Sequence, residues 1–146
     1  MSVTIDASVF VSAARSPEPH HADSLKFVEC VVSQAEDVFC PTLVLVESSA
    51  AVARQTDSPV LAAKTLAFIE DLPSSRFLPL DLAFARKASQ LAMTYRLRGA
   101  DAVYAMVAQA VGATLVTWDA ELLQRGRAVV PVLTPTEWLA KHGKGG

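Results

Sequence analysis

The chain has 146 residues, 51% of them apolar and 19% charged, with a net charge of −2 and a mean hydropathy of +0.31. That length fits one domain with a substantial core, and the charge sets the chain apart from strongly basic nucleic-acid binders. The longest uncharged stretch, between Asp101 and Asp119, is interrupted by Gln109, Gly112, Thr114 and Thr117; it makes a poor membrane span, which needs about 20 predominantly apolar residues. No basic segment precedes an apolar one at the N-terminus, so no secretory signal is expected and a cytoplasmic location is.

In chain order, the first apolar run, Val3–Ile5, has strand character and stops at Asp6, with Ser8 two residues on. An unpaired buried charge is costly, so Asp6 is either a cap for the next helix or part of a site. His20-His21 follow in a loop and read as surface residues. His21–Ala35 places Leu25, Val28, Val31 and Val32 at helical spacing. Val38–Cys40 is the second strand. Thr42–Gln55 is an Ala-rich helix with Thr42 as N-cap. Ser58-Pro59 opens a helix to about Asp71, and Phe77–Leu80 is the third strand. Asp81 caps a helix to Tyr95, and Gly99–Val111 is a helix closed by Gly112. Thr114–Thr117 is the fourth strand, Asp119 starts a short helix, and Val129–Leu133 is the fifth strand. Thr134, with Glu137 three residues later, forms a capping box for the last helix. Residues 1–140 form one domain without internal repeats. The tail 141–146, "KHGKGG", is expected to be disordered. Cys30 and Cys40 lack metal or redox spacing and read as isolated thiols. The high apolar content points to a covered surface, such as that of a homodimer.

Strand–helix alternation with fully apolar strands implies an α/β fold, a parallel sheet covered on both faces. Sites in such sheets form at the strands' carboxyl ends. Asp6 and Asp119 follow the first and fourth strands, and Glu47 lies about one and a half turns into the helix after the second. Asp101 sits in the first turn of the helix before the fourth strand, and the sequence leaves open which end of the sheet it faces. Taken singly, Asp6 and Asp119 read as N-caps, Asp101 as a helix-dipole partner, and Glu47 as the partner of Arg54. As a set they read as a carboxylate site. Converging carboxylates repel and raise one another's pKa values, which a divalent cation relieves. All-oxygen ligands suit Mg²⁺ or Mn²⁺, and such a centre suits phosphoryl hydrolysis. Ser8 and Thr117 are auxiliary candidates that would orient water or a carboxylate.

The segments "TIDASVFVSA", "PTLVLVESSAAVAR", "LRGADAVYAMVAQ" and "TLVTWDAELL", in this order and at these separations, resemble the PIN-domain nucleases, and among them the VapC toxins of toxin–antitoxin pairs. The resemblance runs from Val3 to about Leu139. It implies a three-layer α/β/α fold with a parallel sheet of order 3-2-1-4-5. It also implies Mg²⁺- or Mn²⁺-dependent cleavage of RNA, a homodimer and inhibition by a cognate antitoxin. Carried over residue by residue, it makes Asp6, Glu47, Asp101 and Asp119 catalytic, with Asp6, Asp101 and Asp119 as metal ligands and Glu47 as ligand or water-positioning base. It brings Asp101 into the same cleft as the other three. Once these four acids are set aside the remaining charge is net positive, and Arg15, Arg54 and Arg98 are candidate phosphate contacts. Rival readings remain: a PIN nuclease of RNA processing, a catalytically silent PIN binding module, a receiver-like phosphoacceptor and a haloacid-dehalogenase-like phosphatase. The last two fit poorly, because Thr134-Pro135 stands where a receiver needs Lys and Ser8 where the phosphatase needs an acid.

Overall fold

The computed structural model describes residues 1–143. Five strands and eight helices alternate: β1 (Ser2–Ile5), α1 (Ala7–Ala14), α2 (His21–Ser33), β2 (Asp37–Pro41), α3 (Leu43–Thr56), α4 (Pro59–Glu70), β3 (Ser75–Leu78), α5 (Leu82–Tyr95), α6 (Gly99–Val111), β4 (Thr114–Val116), α7 (Ala120–Arg125), β5 (Val132–Leu133) and α8 (Pro135–His142). The strands form one parallel sheet of order β3-β2-β1-β4-β5, as expected. β1 lies at its centre. Val3, Thr4 and Ile5 are buried, and Ile5 pairs with Val116 of β4. Strand order reverses between β1 and β4, which opens a crevice beyond their carboxyl ends.

The core joins both faces of the sheet. Phe10, Phe27 and Trp138 pack with Ile5, Leu115 and Tyr104, and Phe27 meets the Trp138 ring edge-on at 5.0 Å. Helix α6 is buried along Asp101–Ala108 and packs on β1, β2 and β4. It ends at Gly112, whose φ of 68° suits a residue without a side chain, and two residues later β4 begins at Thr114. Helix α6 therefore runs antiparallel to the strands, and its first turn lies at their carboxyl ends. That resolves the placement of Asp101.

Most expected caps are present. Ser58 accepts from the Leu61 N–H, Asp81 from the Phe84 N–H, and Thr134 with Glu137 forms the capping box. Several details differ from the sequence reading, among them β3, which spans Ser75–Leu78 rather than Phe77–Leu80. Thr42 is itself helical and makes no side-chain cap bond. Helix α2 stops at Ser33, two residues early, because Ala35 takes a positive φ. β5 shrinks to Val132–Leu133 behind a 3₁₀ turn at Gly126–Ala128. Lys141 and His142 form the last turn of α8 rather than a disordered tail, and the Lys141 charge favours the helix C-terminus. The rest of that expectation, residues 144–146, lies outside the described residues. Cys30 and Cys40 are free thiols; burial pushes the Cys40 pKa up to about 12.

Candidate active site

The β1 strand delivers Asp6 directly into the crevice. It is 8% exposed and N-caps α1. Its Oδ2 accepts hydrogen bonds from Ser8 Oγ at 2.6 Å, Thr117 Oγ1 at 2.8 Å and the Ser8 N–H at 3.4 Å. The two hydroxyls are themselves oriented by backbone donors. The Trp118 N–H donates to Ser8 Oγ at 3.1 Å, and the Asp119 N–H donates to Thr117 Oγ1 at 3.0 Å. A hydroxyl has one proton to give, and both spend it on Asp6. Burial nevertheless holds the Asp6 carboxyl above the ordinary Asp range; these bonds oppose the rise and Asp119 adds to it.

Asp119 N-caps α7, its Oδ1 accepting from the Leu122 N–H at 2.9 Å and its Oδ2 from Arg98 Nη2. Burial pushes its pKa up, but the Leu122 N–H and Arg98 outweigh this and the net shift is downward. Asp101 is 8% exposed in the first turn of α6 and accepts from Arg98 Nε at 3.1 Å through Oδ2. Burial raises its pKa, Asp119 raises it further, and Arg98 offsets this only in part. Glu47, on α3, accepts at Oε1 from Tyr104 O–H at 2.7 Å. Burial raises Glu47, with Tyr104 opposing, and burial also drives the Tyr104 hydroxyl pKa up. The partner of Glu47 is thus a buried phenol on α6. Arg54 is exposed on α3 and makes no ion pair among the described residues.

These four acids line a single cleft of about 520 Å³, with Ser8 and Arg98. Among the described residues Arg98 is the only Lys or Arg lining it. It bridges Asp101, Asp119 and, at 3.3 Å, Glu121, with its side chain 56% exposed. Arg15 stands off the lining, bonded to Gln55 at 2.7 Å.

Donor placement tests the fit to a divalent cation. The hydrogen bonds to Asp6, Glu47 and Asp101 fall on one oxygen of each carboxylate, so Oδ1, Oε2 and Oδ1 stay uncommitted. Hard oxygen donors with raised pKa values around one cationic side chain suit Mg²⁺ or Mn²⁺. Among the described residues no three His, Cys, Asp or Glu groups already converge on a metal position; the Arg98 guanidinium spans Asp101 and Asp119 instead.

The sequence reading missed four neighbours. Tyr104 was hidden in an apolar helix, and Glu121 in an ordinary first turn. His20 is exposed, but its ring stacks on Trp118, and both line the cleft. His21 begins α2 and its Nδ1 lies 2.9 Å from the Ser12 carbonyl, so the pair is not simply a surface loop.

The fold is shared with several solved structures. VapC20 of Mycobacterium tuberculosis, a sarcin-ricin loop cleaving toxin, aligns with a TM-score of 0.70 at 15% identity over 84% of this chain and 94% of its own. FitAcB of Neisseria gonorrhoeae aligns at 0.68 and 22%, covering 92% and 98%. VapBC2 of Rickettsia felis, bound to a DNA fragment from its promoter, aligns at 0.67 and 13%, again covering 92% and 98%. Comparison with curated proteins returned no significant sequence match. The PIN domain family matches residues 3–128, a span that holds the strands β2, β3 and β4, β1 from Val3 on, and Asp6, Glu47, Asp101 and Asp119; the chain belongs to the PIN domain family of nucleases.

Proposed function

We propose that this chain is a metal-dependent endoribonuclease acting as the toxin of a type II toxin–antitoxin pair in the cytoplasm. One observation carries the reading: four carboxylates from four separate elements line one cleft, three of them with an uncommitted oxygen. Asp6, Asp101 and Asp119 are the residues to hold Mg²⁺ or Mn²⁺. Once bound, the cation would supply Lewis-acid activation of water and charge neutralisation at the scissile phosphate. Ser8 and Thr117 hold Asp6 by its Oδ2 and leave Oδ1 uncommitted. Glu47, raised above the ordinary Glu range by burial, accepts the proton of the attacking water at Oε2. Attack in line with the leaving 3′ oxygen leaves 5′-phosphate and 3′-hydroxyl ends. With a cation held by Asp101 and Asp119, Arg98 would be released from these two acids to contact the phosphate. Arg15 and Arg54 lie off the lining and serve at most as distant phosphate contacts.

The toxin assignment rests on the shared fold with VapC20 and with the VapBC2 and FitAcB structures. A homodimer is supported by Val46, Leu82 and Met93, exposed at 64%, 67% and 69% on α3 and α5. An antitoxin segment is supported by a second, largely apolar groove between α2 and α4, lined by Leu25, Val32 and Phe68.

The test is cleavage of RNA by the purified protein with Mg²⁺ or Mn²⁺. EDTA should abolish it and Asp101→Asn should lower it by orders of magnitude; undiminished cleavage in EDTA refutes the mechanism. Expression should arrest growth, with relief by the neighbouring antitoxin. Cleavage without any effect on growth, in a host that contains the target RNA, favours a nuclease of RNA processing.

A further inference from the structure

Two rings at the cleft make no hydrogen bond with its acids among the described residues. His20 lies over Trp118 with centroids 3.8 Å apart and planes 9° from parallel. Trp118 is fastened in place: its backbone N–H is bonded to Ser8 Oγ at 3.1 Å and its indole N–H to Ser24 Oγ at 2.7 Å. Ser24 in turn shares a hydrogen bond with Ser12 at 2.7 Å. Because Ser8 also donates to Asp6, the indole is held at a fixed remove from the central carboxylate. His20 is held differently. It precedes α2 without capping it, its residue is exposed, and its ring makes no hydrogen bond among the described residues. The stack alone orients it, so the two rings form a short column anchored at Trp118 and open at His20.

We propose that the His20–Trp118 column is a stacking platform for an unpaired nucleobase, flanking the phosphodiester held at the carboxylates; this rests on the ribonuclease reading above. The charge of the cleft supports it. Backbone attraction to nucleic acid scales with the phosphates neutralised by Lys and Arg. Among the described residues Arg98 is the only such side chain lining the cleft, against five acids, Glu18 included. Affinity therefore needs a contact that does not depend on positive charge. Stacking on an aromatic ring is such a contact, and every base offers a π-face. A base inside a duplex has that face covered, so the platform selects single-stranded loops, bulges or ends. It also places the reading of the base on the α1–α2 loop, away from the groups that perform hydrolysis.

The experiment uses the intact chain carrying Asp101→Asn, so that probes stay uncut, with Mn²⁺ present. Tryptophan fluorescence is titrated with an unstructured RNA octamer, the same octamer with abasic sites, and the same sequence as a duplex. Trp138 is buried against Phe27, so Trp118 supplies the responsive signal. The octamer should quench fluorescence and bind at least about tenfold more tightly than the other two. Adding His20→Ala should abolish that preference, and His20→Phe should retain it. In the otherwise wild-type chain, His20→Ala should leave the Mn²⁺-induced rise in melting temperature unchanged, which shows an intact cleft. Equal binding of the octamer and its abasic form, or full preference in His20→Ala, overturns the platform while the nuclease reading stands. A wild-type chain that neither binds nor cuts any of the probes with Mn²⁺ overturns the nuclease reading, and the platform with it.

Discussion

Replacing Asp6 with Asn separates a cap from a charged site, because Asn keeps the first and removes the second. The Asn side-chain oxygen can take the place of Oδ2 and still accept from Ser8, Thr117 and the Ser8 N–H, and Asn caps as well as Asp. What disappears is a buried negative charge that Asp119 opposes. Repulsion between cleft carboxylates is of order 1 kcal/mol at the effective dielectric of a partly wet site. Asp6→Asn should therefore stabilise the metal-free protein by about 1 kcal/mol, or about 3–4 °C in Tm for a chain of this size. The pH dependence carries the sign. Folding raises the Asp6 pKa, so the native state binds more protons than the unfolded one between the two values. The cost is fully present above the folded pKa and vanishes below the unfolded value of 3.8. Melts in EDTA should thus show the variant ahead at pH 7.5 and level with wild type near pH 3.5. Millimolar Mn²⁺ should raise the wild-type Tm by mass action and the variant's much less. A variant that melts below wild type at pH 7.5, or a gap that ignores pH, would refute this account; full activity and a full Mn²⁺ shift in the variant would leave Asp6 as a cap alone.

Arg98→Ala should lower the Tm in EDTA, because Asp101, Asp119 and Glu121 lose their shared cation, yet give a larger Mn²⁺-induced rise than wild type; equal rises would show that Arg98 does not compete with the metal. Tyr104→Phe removes the donor that holds the Glu47 pKa down, so the acid limb of the pH–rate profile should move to higher pH, and an unmoved limb excludes Glu47 as the base. Trp138→Ala, at a residue 1% exposed in the core, should cost about 3–5 kcal/mol by denaturant unfolding without altering the Mn²⁺ response of the surviving fold.

The sheet was legible because its strands are short apolar runs and its helices carry caps at Ser58, Asp81, Asp119 and Thr134. Helix α1 was read only as the element Asp6 would cap, without bounds, since six of its eight residues are buried and no polar face marks a helical period. β5 was overextended because Val129–Leu133 is apolar throughout, while Pro131 and the preceding 3₁₀ turn confine pairing to two residues. In the site, the four acids could be found because each stands where an apolar run meets a helix start or face. Their partners could not. Tyr104 and Glu47 are 57 positions apart, as are no two residues of one local motif, and the Arg98 contacts to Asp119 and Glu121 depend on how α6 and α7 meet. The His20–Trp118 stack joins a loop before α2 to one after β4, a contact that only the closed sheet creates.

The paired hydroxyls around Asp6 divide the cleft into a stiff wall and a compliant one. Through Ser8 and Thr117, the end of β1 and the start of the β4–α7 loop are tied by hydrogen bonds that run from peptide N–H to hydroxyl to carboxylate. Neither segment can shift without breaking the set, and neither hydroxyl has a proton left to offer an incoming ligand. The same cleft is lined by Glu47 and Arg98, long side chains from α3 and the residue before α6, with several rotatable bonds each. Accommodation of an ion or a phosphate therefore falls to that second wall, against a reference point that stays still.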